Sequence, residues 1–197
     1  MTALLPLAVL LYGQLVDYCP RGCVVGPDAD LYRITTADLT QLGRAVECET
    51  GQDSPAAVTW TMLQNWTRRR LAGRHETLGS FVGAYSSCSS PRWARSTHPR
   101  IGPRARLYSR LQWDQLSERT RMFVSDFMAG KHPNRWPGWC YFLAGSFADR
   151  APKEWGEPSY TRPRNGLARN AYFTDPSTVG WTTRTVVLFP AWQVNEP

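Results

Sequence analysis

Two helical patterns, joined by a few turn residues, constrain this chain more than any other feature. The first runs from about Ala37 to Glu49. Thr35 is placed to cap it, and Asp38 three residues on makes a variant capping box. Leu39, Leu42 and Val46 recur at helical spacing and define a buried stripe, and three more residues along the same face lie at Glu49. The stripe therefore ends on a carboxylate. Glu47 sits about 100° off that face and is expected to be wetter. Gly51 ends the helix, and Ser54 with Pro55 starts the next, since proline costs no hydrogen bond in a first helical turn. Ala56, Ala57, Val58, Trp60, Met62, Leu63 and Trp66 make this second helix apolar on most sides, which predicts a central, largely buried element. Arg68, Arg69 and Arg70 mark its emergence into solvent, and Gly73 its C-terminal cap.

A short amphipathic helix is expected over Leu78–Tyr85, a loop over Ser86–Pro103, and helices over Ala105–Trp113 and Ser117–Ala129. The segment His132–Cys140 reads as a Pro- and Trp-rich turn. Helix signals then fade, and Ala171–Thr174 and Thr182–Phe189 read as strands. The fold class that follows is α+β: a mostly helical domain with a small late β-sheet. Residues 1–33 read as an N-terminal arm or anchoring segment and 34–197 as the principal domain. Ala3–Tyr12 is an apolar stretch that resembles a signal h-region. No Lys or Arg precedes it, Pro6 interrupts it and no small-residue cleavage site follows, so it is expected to stay and to pack on the domain or on a partner. No apolar run reaches transmembrane length.

Composition narrows the chemistry. The five cysteines show no C-x-x-C pair and the three histidines are irregularly spaced, which argues against zinc, so no metal or cofactor is expected. Cys19 and Cys23 flank a short turn and could bridge each other. A Cys–His nucleophile stays open but nothing favours it. The formal charge of +7 suits a polyanionic partner. Basic residues spread over Arg68–Arg106 and Arg119–Arg169 match no nucleic-acid motif, so nucleic acid is not the expected partner. Nine Trp, eight Tyr and seven Phe are enough for a core and for a sugar-binding groove besides.

Glu49 carries the chemical argument. Glycoside cleavage needs a proton donor at the leaving oxygen, and a carboxylic acid donates near neutral pH only when burial raises its pKa. A glutamate closing an apolar stripe beside a turn has that opportunity. The plainer alternatives are a solvated residue or a salt bridge to Arg44. Glu47 is the fallback acid. Asp53 is the nearest candidate for a second carboxylate, though helix capping is its favoured role.

The stretch Leu42-Gly43-Arg44-Ala45-Val46-Glu47-Cys48-Glu49-Thr50 resembles the opening block of the SleB/CwlJ-type cell wall hydrolases, with Glu49 in the place of the catalytic glutamate. Further segments echo the family in order. Met62-Leu63-Gln64-Asn65 matches its helix end with one residue inserted. Leu78–Tyr85 matches the segment before its Q-F-S turn, for which this chain has Cys88-Ser89-Ser90-Pro91-Arg92-Trp93. Ala129–Pro133 through Trp139–Phe142 matches a Gly/Pro block, and Gly166–Phe173 a late strand with Asn170 in place of His. The resemblance implies a lysozyme-like fold and cleavage of the bond between N-acetylmuramic acid and N-acetylglucosamine in peptidoglycan. In a lytic transglycosylase the single glutamate acts first as acid and then as base. Matched segments offer Asn65, Tyr85, Ser89, Trp93, Tyr141 and Tyr172 as substrate contacts, with Ser86 and Ser87 as further hydrogen-bond donors.

The expected setting is a virion-associated enzyme or one exported to the periplasm or cell wall, with residues 1–30 touching other subunits of a virion or tail assembly. The rival reading is a non-catalytic structural subunit of a phage tail or injection assembly.

Overall fold

A computed structural model of the chain describes residues 9–11, 14–18, 30–50, 53–74, 76–136, 138–161, 170–174 and 185–190. Among these are six α-helices: α1 (Thr36–Glu49), α2 (Pro55–Leu71), α3 (Leu78–Tyr85), α4 (Pro91–Ala94), α5 (Ile101–Tyr108) and α6 (Glu118–Met128). Six strands join them: β1 (Val9–Leu11), β2 (Gln14–Tyr18), β3 (Asp30–Ile34), β4 (Trp139–Ala144), β5 (Asn170–Thr174) and β6 (Thr185–Pro190). The α+β class is as expected. No helix among the described residues is long and apolar enough to cross a membrane.

Helix α1 begins where the capping residues put it. The Thr35 side chain accepts from the Asp38 backbone N–H, and Asp38 in turn accepts from the Thr35 backbone. Buried Asp38 also accepts from Tyr32 Oη at 3.1 Å and from the Gly79 backbone N–H, in the first turn of α3, at 2.7 Å. One carboxylate thus completes the capping box that Thr35 opens on α1 and takes a first-turn N–H of α3, whose own cap is Thr77, so it fixes the approach of the two helices. Burial pushes the Tyr32 hydroxyl up to about 12, which keeps it a donor. Gly79 and Gly83 make the close packing possible, because a Cβ at either would meet Asp38 or Gln41 at 3.0 and 3.4 Å.

Helix α2 is the central, buried element that its composition predicts, capped by Ser54 with Pro55 in its first turn. Gly73, at φ +85°, follows its end. Its polar residues hold the segment 132–140 in place. Trp60 Nε1 donates to the His132 carbonyl, Gln64 brackets Trp136 and Gly138, and Asn65 Nδ2 donates to the Cys140 carbonyl at 2.8 Å. This turn delivers β4, which pairs antiparallel with β5 to form the late sheet. The main core joins α1, α2, α3 and α6 to Trp139 and Tyr172 of that sheet.

Two expectations need correction. The Ser86–Pro103 stretch is not all loop: Pro91 opens α4, and α5 starts at Ile101 rather than Ala105 and ends at Tyr108 rather than Trp113. Pro103 falls in the first turn of α5, where no backbone N–H is needed, so it is compatible with the helix. The late strand Thr185–Pro190 does not join β4 and β5. It lies between β2 and β3, parallel to both, in a four-stranded sheet of order β1-β2-β6-β3. This sheet brings segments from the two ends of the chain together. Gly51, most of Ala3–Tyr12, Cys19, Cys23, His75 and residues 166–169 lie outside the described residues.

Asp38→Ala removes the reciprocal half of the α1 capping box and leaves the Thr35 N–H, the Tyr32 hydroxyl and the Gly79 N–H without their acceptor. It should cost at least about 2 kcal/mol of unfolding free energy in a urea titration. A loss under about 0.5 kcal/mol, the range of ordinary surface changes, would show that Asp38 does not join the two helices as described.

Candidate active site

Glu49 is the last residue of α1 and stands on the wall of a cavity of about 730 Å³. The residue as a whole is partly exposed, while its carboxyl group is enclosed. Burial raises its pKa above the ordinary carboxylate value. The Ser86 hydrogen bond, a backbone N–H of Cys88 and the nearby Arg104 charge each oppose that rise without cancelling it. The protonated form is therefore favoured at pH values where a surface glutamate has already ionised.

A relay of side chains orients the carboxyl. Ser86 Oγ donates to Glu49 Oε1 at 2.8 Å. Ser86 Oγ accepts from Ser89 Oγ at 2.9 Å, and Ser89 Oγ accepts from Gln41 Nε2 at 3.3 Å. Gln41 Oε1 accepts from Arg44 Nη1 at 3.1 Å. Ser86, Ser89 and Gln41 are buried, so each donor points where its neighbour requires it. Arg44 spends its Nε on the Leu111 carbonyl and is not the salt-bridge partner of Glu49. Burial lowers its pKa.

A disulfide between Cys48 and Cys88 joins the residue before Glu49 to the loop that carries Ser86, with 6.1 Å between the Cα atoms. Arg104 Nη2 donates to the Cys48 carbonyl at the C-terminus of α1, where a cation meets the negative end of the helix. Cys48, Glu49 and Cys88 bring possible ligand atoms within 4.8 Å of one another, and among the described residues they are the grouping with the donors for a metal. With the two sulfurs joined, the group offers no thiolate, so the disulfide form lacks the soft ligands that such a site would use.

The cavity has two chemically different walls. One is aromatic: Tyr85, Tyr141, Phe142, Phe147 and Trp155. Tyr141 and Trp155 stack at 4.1 Å between ring centroids and 5° between planes. The other wall is basic: His98 and Arg100, on the segment leading into α5, and Arg104 within it. The backbone N–H groups of Arg100 and Ile101 donate to His98 Nδ1 and hold its ring. Asn170 of β5 also lines the cavity. Glu49 is the only carboxylate among the described lining residues.

Of the substrate contacts expected from sequence, Tyr85 and Tyr141 share the cavity with Glu49. Ser87 lines it as well. The others do not. Asn65 is buried and pins β4, Tyr172 stacks on Trp139 at 4.4 Å in the core, and Ser89 belongs to the relay. Trp93 is 37% exposed on α4, away from the lining. Ser86 serves the acid rather than reaching for a ligand. Glu47 accepts from the Ser117 backbone and hydroxyl and so braces the start of α6. Ser54 rather than Asp53 caps α2; Asp53 accepts from Ser54 N–H, from Thr161 Oγ1 at 2.6 Å and from Asn170 N–H at 3.1 Å, tying β5 to the start of α2. Arg104, Phe147 and Trp155 had no signal in the sequence, because nothing in their local spacing points toward Glu49.

The chain matches no protein-family model, no curated protein and no solved structure. The resemblance to cell wall hydrolases therefore rests on the quoted motifs, and the site on its geometry.

A raised carboxyl pKa fixes the sign of a stability test. The folded protein prefers protonated Glu49, so the stabilisation is complete below the ordinary carboxylate range and is lost as pH rises through the raised value. Glu49→Gln, which is neutral throughout, should melt above the wild type at pH 8, with the gap closing by pH 4. A gap that widens toward acid would show a depressed pKa. Separately, losing the disulfide in a Cys48→Ser, Cys88→Ser double variant releases a closed loop whose ends are 40 residues apart in sequence. Guanidinium unfolding without reductant should then show a loss of about 3 kcal/mol, and unchanged stability would mean that the bridge does not form in solution.

Proposed function

We propose that this protein degrades peptidoglycan, cleaving the bond between N-acetylmuramic acid and N-acetylglucosamine with Glu49 as its single acid, by the lytic-transglycosylase route. The observation that carries the reading is an enclosed, hydrogen-bonded glutamate whose protonated form is favoured, at the wall of a cavity large enough for several sugar rings. Aromatic side chains there suit the apolar faces of pyranoses. The basic wall suits a glycan whose lactyl and peptide substituents bear carboxylates.

In this reading Glu49 gives its proton to the leaving oxygen of N-acetylglucosamine as the muramyl C1–O bond breaks. The resulting carboxylate then takes the proton of the muramyl C6 hydroxyl, whose oxygen bonds to C1 and closes an anhydro ring. No water is activated and the acid is regenerated. Only one carboxylate is needed, which agrees with the described lining. The Ser86 hydroxyl supports both halves, since its hydrogen bond orients the acid and then stabilises the carboxylate. Delivery in a virion, or export to the wall, is the setting in which such an activity meets its substrate.

Digestion of purified peptidoglycan, read by mass spectrometry, is the direct test. The wild type should release anhydro-muropeptides and Glu49→Gln none. Reducing-end muramic products would replace the transglycosylase with a hydrolase, and full activity in Glu49→Gln would remove the assignment. Because the acid must be protonated, activity should fall on the alkaline side as pH passes the raised pKa of Glu49. Ser86→Ala should reduce kcat by about tenfold through lost orientation. It should also move the alkaline limb to higher pH, since a stabiliser of the charged form is gone. An unmoved limb would mean that the contact with Ser86 does not tune the acid.

A further inference from the structure

Asn170 opens β5 and lines the same cavity as Glu49. It is only 6% exposed, yet its Nδ2 has no hydrogen-bond partner among the described residues. Its other obligations are met by the main chain: the backbone N–H goes to Asp53 Oδ2, and in the β4–β5 ladder it stands opposite Ala144. The side-chain amide is thus surplus to the fold. A buried donor left without an acceptor is costly, and native structures retain few of them unless a ligand supplies the missing partner.

The surroundings define that partner. Asp53, two hydrogen bonds from Ser54 and Thr161 already on it, stands directly behind the Asn170 main chain. A second anion beside it would be repelled, so the acceptor is neutral. The Tyr172 hydroxyl, two residues along the same strand face, is also buried; it lies near the Asn170 amide and the Asp53 carboxylate but meets hydrogen-bond geometry with neither. Burial, reinforced by the Asp53 charge, raises its pKa, so it adds no negative charge. Carboxylates are better met by His98, Arg100 and Arg104 on the basic wall. A carbonyl oxygen is the neutral acceptor that an amide N–H pairs with best, and on an amino-sugar polymer it belongs to the N-acyl group.

We propose that Asn170 is a substrate-binding residue whose Nδ2–H donates to the carbonyl oxygen of an N-acyl group of the glycan, so that this cavity selects N-acylated over N-deacylated sugars. The inference rests on the glycosidase reading and extends it to a specificity determinant that the local sequence does not reveal.

The test compares kcat/KM on N-acetylated glycan strands and on the same strands chemically N-deacetylated, for the wild type and Asn170→Ala. The wild type should prefer the acetylated polymer by about tenfold or more, the scale of one hydrogen bond and an orphaned donor. In Asn170→Ala the preference should fall severalfold. Repulsion between the basic wall and the new amines acts on both proteins alike, so the change in the ratio is diagnostic. The melting temperature of Asn170→Ala should be unchanged or higher, because the substitution deletes a buried donor that the fold does not use. Asn170→Ser, too short to reach the same acceptor, should show the same loss of preference and serves if the alanine variant folds poorly. An unchanged ratio in a folded variant overturns the inference while leaving the glycosidase intact. A wild type that cleaves neither polymer overturns the glycosidase reading, and this one with it.

Discussion

The carboxyl of Glu49 must be shut away from water and still reach a cavity, and two segments remote in sequence, the loop after α3 and helix α5, meet at the end of α1 to achieve this. The loop after α3 brings Ser86 and also Cys88, which is bridged to the residue beside the acid, and α5 brings Arg104. Each contact on its own stabilises the ionised carboxyl or is neutral toward it. Burial outweighs them, and the net result is a raised pKa. A site with the same hydrogen bonds and more water would hold an ordinary ionised glutamate.

That balance explains the investment in α1 and α3. Asp38 accepts backbone N–H groups at the starts of both, glycines at 79 and 83 let them touch, and Gln41 reaches from α1 into the serine cluster. Along α1 the same helix therefore supplies the anchor at one end, the relay in the middle and the acid at the other end. The relay from Arg44 to Glu49 runs through buried groups whose donors and acceptors alternate. A polar chain of this kind is costly if incomplete and rigid when complete, which is what holding a proton donor at a fixed place requires.

The opposite side of the cavity is assembled by α2. Gln64 and Asn65 give their side-chain amides to the backbone of residues 136–140, and Tyr85 from α3 donates to the same Cys140 carbonyl. These bonds set the position of β4, hence of Tyr141 and Phe142 on the aromatic wall. Asp53 does the equivalent for β5 and Asn170. Polar residues that look like ligand contacts in the chain are thus often the supports of the wall, one step removed from any ligand.

Local chemistry was enough for α1, α2, α3 and α6. Thr35 with Asp38, Ser54 with Pro55, Ser117 and the glycines at 73 and 130 are caps whose action lies within a few residues, and all act as their types dictate. The apolar stripe of α1 likewise carries Glu49 to its end, because helical periodicity is a local property. The Ser-, Pro- and Arg-rich stretch 86–103 hid α4 and the start of α5, because a proline in a first helical turn carries the same local signal as one in a loop. What only the tertiary structure decided is which remote groups meet: Cys48 with Cys88, Ser86 with Glu49, β6 between β2 and β3, and Asn170 beside the cavity. Such pairings depend on how helices and strands pack, which no spacing along the chain encodes. The raised pKa belongs to this second class, because burial is supplied by neighbours that the chain brings together only on folding.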